Sequence, residues 1–155
     1  MKLLVTDESG RLARWLRLMG YDAATSAATP LAVLYQRAVN ESRVIVTRNS
    51  RVQGGRLVRV LHLERQDLAG QLKQVMRELG LALDADQAFS RCDVCNVGLQ
   101  AIEKAQVKER VPPYVFQTQE AFHICPSCQR VYWAATHSQR ASTFLKTVAE
   151  ASGHA

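Results

Sequence analysis

The chain has 155 residues, 47% hydrophobic and 22% charged, enough for one modest core and a small appended unit. No apolar run approaches the ~20 residues that span a bilayer, and the opening MKLLV is too short for an export signal. A cytoplasmic protein is therefore expected, and the charge of +6 (pI near 9.5) favours an anionic partner, nucleic acid first.

The first 80 residues alternate two periodicities. Residues 2–6 (KLLVT) read as a buried strand. Residues 8–20 read as an amphipathic helix stopped by Gly20, with Leu12, Trp15, Leu16 and Met19 on one face. A second short strand is expected near 21–25. Thr29 and Pro30 then resemble an N-cap followed by proline at the first helical position, opening a helix to about Glu41. Residues 43–47 (RVIVT) form the third strand and 56–63 contain the fourth. Another amphipathic helix is predicted over 66–79, before Gly80. Strand–helix alternation of this kind predicts an α/β fold, a parallel sheet flanked by helices.

A polar connector, 81–90, precedes a change of character. CDVC, a β-prone middle (YVFQ and AFHI), CPSC and VYW read as a small β-rich unit, with a last helix over 138–151. The expected division is an α/β domain over 1–85 and a zinc ribbon with a C-terminal helix over 86–155.

All four cysteines belong to that second unit. Cys92 and Cys95 form one C-x2-C pair, and Cys125 and Cys128 another. Two such turns supply the tetrahedral S4 set that Zn²⁺ prefers, and closed S4 coordination leaves no position for substrate. The expected role is structural, because a small β unit with little core needs a staple. Tyr132 and Trp133, just beyond the second pair, suit either packing of the ribbon or stacking on bases.

Arginines are frequent in the first unit. Arg11, Arg14 and Arg17 fall along one helix, and Arg48 and Arg51 follow the third strand. They form either solvated faces or, where they converge, a phosphate-tracking nucleic-acid surface.

The blocks GRLARWLRLMGYD (10–22), ESRVIVTRN (41–49), SRCDVCN (90–96), VPPYV (111–115) and HICPSCQRVYWAATH (123–137) together resemble the Mut-seven carboxy-terminal RNase domain family, a PIN-like nuclease fold with a zinc ribbon. The resemblance implies a ribonuclease in which acidic residues at the carboxyl ends of the strands hold Mg²⁺ or Mn²⁺. It implies Asp7 and Asn49 as site residues, with Asp22 and Glu41 as further candidates. Thr6 stands where the family usually has an aspartate, and Asn49 replaces the aspartate of a threonine–arginine–aspartate motif. Glu8 reads as a first-turn helix residue stabilised by the helix dipole. The other reading is an RNA-binding module that kept the fold and the arginines without the acids.

Overall fold

The computed structural model describes residues 1–26, 30–134 and 136–152, apart from the side chains of Asp7, Thr136, His137 and Ser138. Strand β1 (Lys2–Thr6) leads through a 3-10 turn (Asp7–Ser9) into helix α1 (Gly10–Leu18). Strand β2 (Asp22–Ser26), helix α2 (Leu31–Glu41), strands β3 (Val44–Thr47) and β4 (Val60–His62) and helix α3 (Leu68–Leu79) follow. The four strands form a parallel sheet in the order β2-β1-β3-β4, flanked by helices as expected.

The uninterrupted apolar run Leu3-Leu4-Val5 fits a strand covered on both faces. Successive side chains point to opposite sides. Leu3 and Val5 pack with Leu12, Leu16, Leu72 and Met76 of α1 and α3, whereas Leu4 packs with Ile45, Leu34 and Ala38 on the α2 side. Asp67 caps α3 by accepting the Gly70 N–H at 2.7 Å, and Gly80 closes it at φ +64°. Thr29, expected to cap α2, lies outside the described residues; Pro30 occupies the N-cap position.

The second sheet is antiparallel, β5 (Gln100–Ile102), β6 (Phe122–Ile124) and β7 (Val131–Trp133), with helix α4 (Pro113–Thr118) between its first two strands. The segment YVFQ, read as β-prone, belongs to α4. The preceding Pro112-Pro113 pair fixes φ for a helix start, and proline suits the first helical turn, where its missing N–H is not needed. Val107, Val111, Val115 and Phe122 make a small separate core.

The last helix, α5 (Thr136–Glu150), does not stay with that second unit. Leu145, Val148 and Ala149 join the core of β1, α1 and α3, and Phe144 meets Trp15 with ring centroids 4.6 Å apart. The expected unit over 86–155 thus shares its C-terminal helix with the first core. No helix among the described residues is long and apolar enough to cross a membrane.

The connector is pinned at the end of α1. Phe89 N–H donates to Leu18 O at 2.8 Å, and Gly20 adopts φ +92° immediately beneath Gln87. A Cβ on Gly20 would stand 2.4 Å from Gln87 O, against backbone that cannot swing away. Gly20→Ala is therefore expected to lower stability by about 1–3 kcal/mol, read from the midpoint of denaturant unfolding.

Candidate active edge and cysteine centre

Parallel strands give the sheet a polarity, and in open α/β sheets sites gather beyond the carboxyl ends. Here register places Thr6 opposite Ser26, and Thr47 opposite His62, at that edge. Both threonines are buried. Their hydroxyls lie 2.9 Å apart, and both point to one acceptor, Glu8 Oε1: Thr47 Oγ1 donates at 2.9 Å, and Thr6 Oγ1 donates as well. The main-chain N–H of Arg48 adds a third bond at 3.0 Å. Burial pushes the Glu8 pKa up, but the hydrogen bonds from Thr6, Arg48 N–H, its own amide and Thr47 outweigh it and hold the carboxyl below its usual range.

Glu8 is therefore the carboxylate that links the ends of β1 and β3, the role sequence reasoning had left to its neighbours. Because a 3-10 turn intervenes before α1, Glu8 turns back over the strand end and does not project from a helical first turn. The sequence signal lay in two threonines at equivalent strand ends, each needing an acceptor once buried. Asp7 occupies the same turn.

Asn49 lies at this edge too, exposed. Its side-chain oxygen accepts the Arg51 N–H at 3.0 Å, and its own N–H donates to Thr47 Oγ1 at 3.0 Å. That is an Asx-type turn, which the asparagine carbonyl makes as well as an aspartate would.

Asp22 and Glu41 are not brought to this edge. Asp22 opens β2 beside Lys2, and Glu41 ends the helix that precedes β3, so both stand at the amino edge, about 13 Å away along a five-residue strand. There Arg43 gathers them. Its Nη1 donates to Asp22 Oδ1 at 2.6 Å and to Leu3 O at 3.0 Å, and its Nε donates to Glu41. Asn96 Nδ2 adds a bond to Asp22 Oδ1 at 2.7 Å. Burial raises the Asp22 pKa, yet these partners more than reverse it; the hydrogen bonds from Arg37 and Arg43 likewise depress Glu41. Their chemistry is that of an ion-paired strut.

The arginines divide in the same way. Arg11, Arg48 and Arg51 are exposed. Arg14 is largely exposed but donates from Nε to the buried Asp93 at 2.7 Å. Arg17 is buried and belongs to no surface. It donates to Ala23 O at 2.8 Å, Asp93 O at 3.0 Å and Val94 O at 2.8 Å, so it joins α1 and β2 to the first C-x2-C turn. A residue four along from the buried Ala13 lies on the covered side of α1, which is why the helix stripe does not hold together as one solvated face.

The ligand atoms of Cys92, Cys95, Cys125 and Cys128 all lie within 4.8 Å of one another. Cys92 Sγ and Cys128 Sγ are 3.8 Å apart, close to the edge of a tetrahedron with metal–sulfur bonds of about 2.3 Å. The two turns are built alike. Cys95 N–H points at Cys92 Sγ (3.2 Å) and Cys128 N–H at Cys125 Sγ (3.5 Å). Each turn ends on a left-handed residue, Asn96 (φ 64°) and Gln129 (φ 61°). Burial raises the Cys92 thiol, and its hydrogen bonds with Tyr132 and with the amides of Cys95 and Val94 bring it down to about 7. These four sulfurs are placed to bind a metal such as zinc.

Two outcomes follow from this geometry. Arg17→Ala leaves the Asp93 and Val94 carbonyls without their donor and should cost about 2–4 kcal/mol of stability, whereas Arg11→Ala and Arg51→Ala should stay within about 0.5 kcal/mol, all by denaturant unfolding. Glu8, with its folded pKa below the unfolded 4.5, contributes stability at neutral pH that is lost as pH falls through the folded value. Glu8→Gln should therefore flatten part of the acid limb of a stability–pH profile while leaving its neutral-to-alkaline shape unchanged.

No curated protein and no solved structure matches the chain. The sequence model of the Mut7-C RNAse domain matches residues 1–145, a span that includes the Glu8 edge, the ion-paired strut and all four cysteines. With nearly its whole length matched, the chain belongs to the Mut7-C RNAse domain family.

Proposed function

We propose that this chain hydrolyses RNA phosphodiester bonds at the carboxyl edge of its parallel sheet, with Glu8 as the principal carboxylate. The observation that carries this reading is the convergence of Thr6, Thr47 and the Arg48 amide on Glu8 Oε1, which keeps the carboxylate ionised and fixed at the strand ends. Oε2 accepts none of these three bonds. Asp7 is the neighbouring acidic residue of the same turn, its side chain outside those described, and Ser9 Oγ, also on that turn, is buried without a hydrogen-bond partner among the described residues.

This donor set fits a hard cation, since Mg²⁺ and Mn²⁺ sites use one or two carboxylates and let substrate phosphate oxygens complete the shell. Such a cation, held by Glu8 and Asp7, would supply Lewis-acid polarisation of the scissile phosphate. Arg48, whose main-chain N–H reaches Glu8, and Arg51 both follow β3, and serve to neutralise and orient the phosphate backbone. Thr6 and Thr47 act as positioning residues for Glu8. RNA cleavage by the protein with Mn²⁺ or Mg²⁺, abolished by chelation and reduced on the order of 10²-fold in Glu8→Gln, is the expected result. Full activity in Glu8→Gln would overturn the assignment of this carboxylate.

A second reading, RNA binding without cleavage, is favoured by Asn49 and by the amino-edge acids. The Asn49 oxygen is committed to its turn, and Asp22 and Glu41 are committed to Arg43. Salt-dependent RNA affinity with no metal-dependent cleavage would select it.

The cysteine centre is assigned to a structural Zn²⁺. Four thiols with two matched turns leave no coordination position for substrate. Among the described residues the antiparallel unit's apolar cluster is small, four buried side chains, so its folding free energy depends on the metal. Zinc removal is expected to abolish the β5-β6-β7 sheet, measured by loss of its amide-exchange protection, at a stoichiometry of one zinc per chain. Unchanged protection after removal would rule this role out.

A further inference from the structure

Between α1, the edge strand β7 and α5 lies a cleft of about 1020 Å³ that the proposed chemistry does not use. Both tryptophans of the chain, Trp15 and Trp133, line it, together with Tyr132 and Phe144, all half-buried. Half-buried rings keep a face for a ligand, which fully packed rings do not. Arg14 from α1 and Arg140 from α5 flank these rings from two different elements. Arg140 is exposed, and Arg14 keeps 64% of its side chain accessible despite its pairing with Asp93. That pairing, with the Tyr132 hydroxyl donating to Asp93 Oδ1 at 2.8 Å, offsets the charge of Asp93 in the cleft wall, and the exposed Asp86 is the second carboxylate lining it, matching the two arginines in number.

From these observations we infer that the cleft binds the bases of single-stranded RNA, stacking them on Trp15, Tyr132, Trp133 and Phe144 while Arg14 and Arg140 hold the flanking phosphates. Aromatic faces beside guanidinium groups accept any base, because every base has a π-face and every linkage a charge. Helix α1 connects this cleft to the Glu8 edge. Arg11, Arg14 and Trp15 sit at i, i+3 and i+4 and so share a side of the helix, spaced from Gly10 to Trp15 over ~7.5 Å. A strand anchored in the cleft is led along these arginines toward the turn that carries Asp7 and Glu8. The inference rests on the reading of the chain as acting on RNA, and assigns the strand-holding subsite of that activity.

The test is tryptophan fluorescence, since both emitters line the cleft. The zinc-loaded protein is titrated with a short 2′-O-methyl oligoadenylate, which resists cleavage, and with an abasic ribose-phosphate strand of equal length. Saturable quenching by the oligoadenylate is expected, with affinity at least tenfold weaker for the abasic strand. The exposed-site variants Arg140→Glu and Ala134→Glu, checked for folding by circular dichroism, should each weaken oligoadenylate binding roughly tenfold or more. Equal affinity for the abasic strand, unweakened binding in both cleft variants, or quenching by an apolar peptide in place of the oligonucleotide would overturn the proposal. Manganese-dependent cleavage of unmodified RNA is measured in parallel. Base-dependent binding without cleavage removes the hydrolytic reading alone, and cleavage without base-dependent binding removes the cleft alone.

Discussion

The arrangement of this molecule depends on a guanidinium placed where water cannot reach it well. Arg17 sits at the junction of α1, β2 and the first cysteine turn, and three main-chain carbonyls from two units accept its protons. A buried charge is costly unless it is hydrogen-bonded, so these carbonyls cannot drift away from it independently. Asn96 reinforces the joint from the other side, accepting the Ala23 N–H at 3.0 Å and donating to Asp22. Arg91 spans the same gap, from Asn96 O to Gly20 O. The cysteine unit is therefore docked through its first cysteine turn, and the four clustered sulfurs and the α/β sheet share one set of constraints.

That docking decides what the surfaces are. With the first turn fixed against α1, β7 and α5 close around the outer side of the same helix and leave an aromatic cleft there, not a flat face. Phe144 reaching Trp15 shows how the last helix completes the enclosure while also covering the first core. The two units thus meet around α1, whose start carries the carboxylate edge and whose middle carries the cleft. With one rigid helix between them, the cleft and the Glu8 turn keep a fixed separation without help from loops.

Sheet polarity decides the rest. Four carboxylates near strand ends look equivalent in the sequence, but a residue that opens a parallel strand and one that follows it belong to opposite edges. Arg43 collects Asp22 and Glu41 at the amino edge, where their charge stabilises the start of β2 and β3. Glu8 collects two buried hydroxyls and an amide at the carboxyl edge. A carboxylate therefore serves as an ion-paired strut at one edge and as the acceptor of a hydroxyl–amide cluster at the other, and the partner differs: a cation in the first case, neutral donors in the second.

Much of this was legible in the sequence. The apolar run Leu3-Leu4-Val5, the alternation of strand and helix, Gly20 and Gly80 after their helices, and the paired cysteines each act through neighbours a few residues away, so local pattern suffices to read them. The parallel sheet, the appended β-rich unit and the thiol cluster followed from those patterns. The YVFQ segment is helical despite its β-prone composition because the two prolines before it open a helix. What tertiary structure alone decided was which charges meet. Glu8 became the edge carboxylate because Thr47, 39 residues away, ends a strand beside Thr6. Arg17 became a buried bridge, not a surface arginine, because a turn 76 residues later supplies its acceptors. A hydrogen bond between distant segments leaves no periodic trace in the chain, and its energy is realised only once packing has removed the water that would otherwise satisfy both partners.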